Sequence, residues 1–401
     1  MAADEERVKA EAAEPLPPMS TWVVSPYDPS ITYGGPELEP LLAHTTLINV
    51  DWLVDFADRK VMPEREGVVP AWQQLPSEAI VSLTQLRQSW YAAGLPVAVL
   101  SYGWAAKHHP DPTGEQLRRM LPALRSMKRS KDSGFGVPTW GLVWDFMSLP
   151  QRGYTTKYDA DHEDRTDYQL KRFGKGLKHI NVWYGHAKVT TLMCDWPMPA
   201  GAQNPHPIDV RGWCVFERHL SSIVKDSNCY LQLSLLPADA ESMDWSDVVQ
   251  ACKGARRPPL AADAFERLMR DNLESGAFKF TNGKDATNVC IPQYAEAFTR
   301  LLGTTKLLGY VMLGWGAAEG EQLAAAFAYA QRMGTAVAAE RLYLNGNKLG
   351  TAGVRAIGKV IEAGALPRLK ELEIFDNEAD DETREWIKTV ARGAGCSDVS
   401  A

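Results

Sequence analysis

An α/β fold is the architecture this sequence predicts: a parallel sheet with helices on both faces, then a short repeated strand–helix segment. Two observations carry it. Between about residues 96 and 235, apolar runs of strand length alternate with helical patterns, which indicates parallel strands joined by helices. Near the end a unit recurs. Leu342-Tyr-Leu344 with Asn347 and Leu349 is matched by Leu372-Glu-Ile374 with Asn377, and Asn347 and Asn377 are thirty residues apart. An asparagine in the turn after a short strand, bonding backbone groups, is the plan of a leucine-rich repeat.

The elements follow in order. Residues 1–20 are rich in Ala, Glu and Pro and read as a disordered tail. Residues 21–94 read as a helical lead-in, with a short helix beginning near Asp51. A second helix is expected over Ser77–Ala93, placing Ile80, Leu83, Leu86 and Trp90 on one face. The main α/β domain is expected over 95–300. Val97-Ala-Val-Leu-Ser101 is its first strand, a continuous apolar run suited to burial on both faces. Asp111 is placed to cap the next helix, with Pro112 at its first position. Leu117, Met120, Leu121 and Leu124 form that helix's apolar face, and Pro122 should bend or shorten it. Gly141–Phe146 is the second strand. Leu170, Phe173, Leu177 and Ile180 mark a helix weakened by Gly174 and Gly176. Val189–Met193 is the third strand, and Cys229–Leu235 the fourth. The repeats cover 301–395, with a fainter first unit that has Leu313 in its strand, Leu323 and Phe327 in its helix, and no asparagine.

Bulk properties narrow the function. A chain of 401 residues, 45% hydrophobic, has material for two or three domains with a sizeable core. A net charge of -7 without a long basic run argues against nucleic acid as a partner. Six scattered cysteines with no C-x-x-C pair argue against a zinc site and a disulfide framework. The N-terminus lacks the basic start and apolar run of a signal peptide, and no apolar stretch is long enough to span a membrane. The expected setting is cytoplasmic, with no membrane partner. Neither G-x-G-x-x-G nor G-x-x-x-x-G-K-[ST] occurs, so the usual dinucleotide and P-loop phosphate grips are absent.

Open parallel sheets bind ligands beyond the carboxyl ends of their strands. Those ends carry Tyr102 and Trp104, then His109 and Asp111 in the following loop, Asp145 leading to Gln151, and, after a long Pro-rich loop, Trp213 and Glu217. Glu217 falls early in an amphipathic helix, on a stripe with Trp213, Leu220 and Val224. Partial burial there suits acid–base work; a carboxylate near a helix start can equally be structural. His108 and His109 are adjacent and point apart with no third ligand, so no metal site is assigned. Cys214 reads as a buried thiol.

Arg211-Gly-Trp-Cys-Val-Phe-Glu217 resembles the W-C-x-x-E motif that opens a late helix in Toll/interleukin-1 receptor (TIR) domains. Val97-Ala-Val-Leu-Ser-Tyr102 is similar to the first TIR strand with its Ser-Tyr ending. Val143-Trp-Asp-Phe-Met-Ser-Leu-Pro-Gln151 is similar to the W-I-D-x-x-C-I-N-Q run of fungal heterokaryon-incompatibility domains; Asp145 and Gln151 match, while Val143, Ser148 and Pro150 depart. The likeness spans roughly residues 96–235, and with the terminal repeats the chain resembles a protist and algal group of such proteins. Departures are the long loop before Arg211, the His108-His-Pro-Asp-Pro112 segment, and the lack of a nucleotide-binding ATPase segment before the repeats. The resemblance implies a flavodoxin-like fold and one of two functions. In NAD-cleaving members the matching glutamate is catalytic. Glu217 would then act on the ribosyl group, Trp104 or Trp213 would stack on a base, and Asp145 and His109 would position the ligand. Ribosyl transfer to another acceptor needs the same carboxylate. Other relatives are non-catalytic adaptors that self-assemble; here the repeats would present a surface to a protein partner, and a homo-oligomer is implied. NAD enters only as a substrate; no cofactor is implied.

Overall fold

The computed structural model describes residues 35–58, 69–88, 94–130, 139–155, 161–254 and 256–401. The expected tail over 1–20 and the position of Trp90 lie outside them. The chain is α/β and divides into two compact units. The first comprises 1–183, 188–207 and 231–252; the second comprises 184–187, 208–230 and 253–401.

The first unit is built on a five-stranded sheet of order β1-β3-β2-β4-β5. Its strands are β1 (Ile48–Asn49), β2 (Val97–Ser101), β3 (Gly141–Val143), β4 (Thr190–Met193) and β5 (Tyr230–Gln232). β2 pairs in parallel with both β3 and β4, as the apolar runs predict. The sheet is mixed rather than wholly parallel, because β1 joins β3 antiparallel, with Ile48 opposite Leu142. β1 is two residues long, too short to leave a periodic signal. Every residue of β2 is buried. At that centre the chain's apolar run meets the core formed by Leu53, Leu117, Met120, Leu124, Trp140 and Trp144.

Several boundaries move for identifiable reasons. Of the helix expected over Ser77–Ala93, residues 89–93 lie outside the described residues, and the rest is a 3-10 turn at Ser77–Ala79 and a helix at Leu83–Gln88, because Ile80 is drawn into a bridge with Ile48. The helix after Asp111 starts at Glu115, not Pro112, because Gly114 takes a left-handed φ of 68° just before it. It runs unbroken through Pro122 to Arg129. Proline forfeits the bond to the carbonyl of Arg118, but Arg118 is exposed to solvent and the buried apolar face keeps the helix from ending there. The second strand stops at Val143, since the Ser148 hydroxyl accepts the Trp144 amide at 2.9 Å and starts a helical turn over Asp145–Ser148. The fourth ends at Gln232 and passes into a 3-10 turn at Leu233–Leu235. In the helix Asp167–Lys178 the buried face is Gln169, Arg172 and Gly176, not the leucine stripe: Leu170 is exposed, and Ile180 opens the next helix. Gly176 allows close packing there, since a Cβ would come 2.3 Å from the end of the Leu149 side chain and 3.2 Å from His44 O.

The second unit carries a wholly parallel sheet of order β6-β7-β8-β9: β6 (Leu307–Gly309), β7 (Arg341–Tyr343), β8 (Glu371–Glu373) and β9 (Asp398–Ser400). The helices Ala317–Arg332, Gly350–Glu362 and Asp381–Gly393 follow the first three strands. The faint first unit has Leu308, not Leu313, as its buried strand residue. Leu313 occupies the place of the later asparagines, where its amide and that of Trp315 donate to Asn347 Oδ1 at 2.9 and 3.2 Å. Asn347 Nδ2 donates to Tyr310 O and Leu344 O at 2.7 and 2.8 Å. Asn377 repeats the device, donating to Leu344 O and Ile374 O, both at 2.9 Å. The residue before each of these positions is left-handed: Met312 at φ 54°, Gly346 at 69° and Asp376 at 55°.

Asn347→Ala would strand four buried backbone groups. The expected result is a loss of at least about 2 kcal/mol, read as a lower denaturant midpoint for the second unit. Asn345→Ala, whose Oδ1 makes no bond, should leave the midpoint within about 0.5 kcal/mol.

Candidate functional site

The sheet order creates one switch point in the first unit: β3 lies on one side of β2, and β4 lies on the other. Such a reversal opens a crevice at the carboxyl strand ends. The loops there are Tyr102–Trp104 after β2, Trp144–Asp145 after β3 and Cys194–Trp196 after β4.

Asp145 is the centre of the first two. Its Oδ1 accepts from the Tyr102 hydroxyl and, at 2.6 Å, from the Phe146 amide. Its Oδ2 accepts from Trp104 Nε1 at 3.1 Å. A carboxylate offers about four acceptor positions, so about one remains, on Oδ2. Burial raises the Asp145 pKa, against the opposing pull of these three donors. Gln151 belongs to the same cluster. Its Nε2 donates to Asp145 O at 3.2 Å and Leu149 O at 2.8 Å, and its own amide donates to Gln73 Oε1 at 3.0 Å.

His109 and Asp111 shape the loop after β2. His109 Nε2 lies 3.0 Å from Val69 O, and the Asp111 amide donates to His109 Nδ1 at 2.9 Å. The second bond requires a bare Nδ1, so the proton is on Nε2 and the ring is neutral. Burial agrees, lowering the His109 pKa to about 4. Asp111, fully buried, accepts the amides of Gln116 at 3.1 Å and Leu117 at 2.8 Å. It thus caps the helix as expected, from one turn further back. Burial raises its pKa. Phe146 ties the groups together, its ring meeting His109, Trp104 and Tyr154 edge-on at 4.6, 5.7 and 5.5 Å.

Six of the eight expected residues are therefore gathered in the first unit. Trp213 and Glu217 belong to the second. Their helix, Gly212–Ser222, begins where the Gly212 amide donates to Lys279 O at 3.0 Å; a Cβ on Gly212 would come 2.0 Å from the Phe280 ring. Trp213 Nε1 donates to Asp285 Oδ2 at 3.2 Å, and its ring meets Phe216 edge-on. Glu217 is half-buried and is the sixth residue of the helix, beyond the four open amides of its N-terminus. Its charge is felt at the Cys290 thiol, which burial, then Asp285, then Glu217 push upward.

Three contributors went unread in the sequence. Gln116 Nε2 donates to Gly103 O and Pro110 O, both at 2.8 Å, and folds the loop after β2 onto its helix. Nothing in the local sequence marks it. Gln73 is equally silent. Asp195 was findable, since it follows the third apolar run as Asp145 follows the second; it accepts from Gln232 Nε2 at 2.8 Å and the Ser234 amide at 3.1 Å. Among the described residues, no group of three or more His, Cys, Asp or Glu could hold a metal ion. No protein-family model and no curated protein matches the chain.

Asp145→Ala would leave the Tyr102 hydroxyl, Trp104 Nε1 and Phe146 amide without their acceptor, lowering stability by about 2–4 kcal/mol; a thermal melt against Asp145→Asn, which keeps an acceptor oxygen, would show it. His109 gives an acid limb. Its pKa falls from 6.5 unfolded to about 4 folded, so its contribution is complete above about 6.5 and is lost as pH falls toward 4. NMR of the imidazole carbons should show a neutral Nε2-protonated ring at pH 5.5, where a free histidine is mostly charged.

Proposed function

We propose that the chain is a TIR-like cytoplasmic signalling or defence protein that works by self-assembly and partner binding, with a flavodoxin-like first sheet and a leucine-rich-repeat second sheet. Strand order supports the first part. Taken without the antiparallel β1, the strands run second, first, third, fourth across the sheet, as in flavodoxin-like folds. The turns of Asn347 and Asn377 support the second part. Six buried cysteines that form no disulfide with one another fit a reducing compartment.

The observation that carries the non-catalytic reading is the occupancy of the Asp145 cluster. Groups expected to grip a nucleotide grip one another and the backbone: Asp145 holds Tyr102 and Trp104, His109 spends both ring nitrogens, and Asp111 caps a helix. A ligand contact at Asp145 would have to use the one acceptor position left on Oδ2.

The second reading, cleavage of the N-glycosidic bond of NAD, is favoured by Glu217. It is half-buried on the helix of the W-C-x-x-E motif. A fixed carboxylate of this kind stabilises an oxocarbenium-like transition state.

One experiment separates the two. Purified chain over a wide concentration series is incubated with NAD, nicotinamide is quantified, and mass is followed by light scattering. The assembly reading expects concentration-dependent oligomers and nicotinamide no higher than the protein-free blank. Nicotinamide release that Glu217→Ala abolishes would overturn it in favour of the enzyme.

A further inference from the structure

Parallel sheets are ordinarily covered on both faces; in the second sheet β6 is buried at Gly309, but β7, β8 and β9 leave one face open. Leu308, Leu342 and Leu372 point into the core and are fully buried. Their neighbours on the opposite face, Arg341, Tyr343, Glu371 and Glu373, are half-exposed, and Asp398 and Ser400 are exposed. The register sets these side chains in rows: Arg341 beside Glu371 beside Asp398, and Tyr343 beside Glu373 beside Ser400. Adjacent strands are about 4.8 Å apart, so three carboxylates and a single guanidinium share one small surface. Tyr343 donates to Glu371 Oε1 at 2.8 Å. Phe375, two residues beyond Glu373, is 38% exposed.

The negative charge is under-compensated. The Glu373 pKa is raised by desolvation, then by Glu371, then by Asp398. The face excludes nucleic acid and anionic lipid by its sign. A metal ion is disfavoured because these carboxylates are not grouped to ligate one. Side-chain cations spread along a chain match the rows, and two aromatic rings beside the carboxylates offer both apolar and cation–π contact.

We infer that this face docks a polypeptide segment in which Lys or Arg alternates with apolar side chains. The inference rests on the partner-binding reading above and names that partner's chemistry.

The test uses the full chain and three fluorescein-labelled hexapeptides, (Lys-Leu)3, (Lys-Gly)3 and (Glu-Leu)3, followed by anisotropy. (Lys-Leu)3 should bind about tenfold or more tightly than either control, and raised salt should weaken it. The double substitution Glu373→Lys with Asp398→Lys should remove that preference, and Phe375→Ser should cut the advantage over (Lys-Gly)3. Glu373→Gln with Asp398→Asn, which adds no new charge, should weaken binding while leaving the melting curve in place. Equal binding of (Lys-Leu)3 and (Glu-Leu)3, or binding that the charge-reversed chain retains, overturns the inference. Failure here with intact self-assembly removes only the docking surface; NAD cleavage dependent on Glu217 removes the assembly reading on separate grounds.

Discussion

Backbone groups that end a buried strand must still find hydrogen-bond partners, and in this chain side chains supply them. Each strand here is two to five residues long, so a large share of the buried backbone lies in the turns that follow. An unpaired buried amide or carbonyl costs about 1–3 kcal/mol, comparable with burying a whole apolar side chain. The answer is the same in both units. Asp145, Gln151, His109, Asp111 and Gln116 bond the turns after β2 and β3. Asn347 and Asn377 bond the turns after β6, β7 and β8.

That constraint decides how the chemistry-bearing residues are to be understood. A carboxylate at a strand end is well placed for a ligand and equally well placed to hold its own loop. Asp145 does the second with about three of its four acceptor positions. Its raised pKa follows from burial and by itself marks no catalytic role. Neutral His109 has the same origin: a charged ring could not accept the Asp111 amide. Glu217 belongs to the second unit, a half-buried carboxylate on the helix Gly212–Ser222. The weight of the enzymatic reading therefore falls on that single residue.

The repeated sheet shows the same economy in another form. One polar side chain per turn replaces a loop-long set of contacts, and each asparagine bonds both its own turn and the preceding one. Where the first repeat lacks the asparagine, Leu313 lends its amide to the asparagine of the next repeat. Only the face packed on helices then needs an apolar sequence, which frees the other to carry charge.

Continuous apolar runs made β2 and β4 legible, because a strand buried on both faces has no polar residue to interrupt it. The Asn spacing made β7 and β8 legible, because a turn that must be stapled leaves a fixed residue type at a fixed interval. Asp145 and Gln151 were placed at a strand end by that same reasoning. Tertiary contacts alone decided the rest. Ile80 left its helix for a bridge to Ile48, Arg172 took the inward face that Leu170 and Phe173 were expected to hold, and Pro122 stayed within a helix held by its buried face. Whether Asp145 and His109 were open or engaged was also beyond the sequence. Their partners are Tyr102 and Trp104, more than forty residues away from Asp145, and Val69, forty residues from His109. A hydrogen bond across that separation exists only once the chain has folded, so residue type and spacing fixed where these groups stand, and the packed structure fixed what they hold.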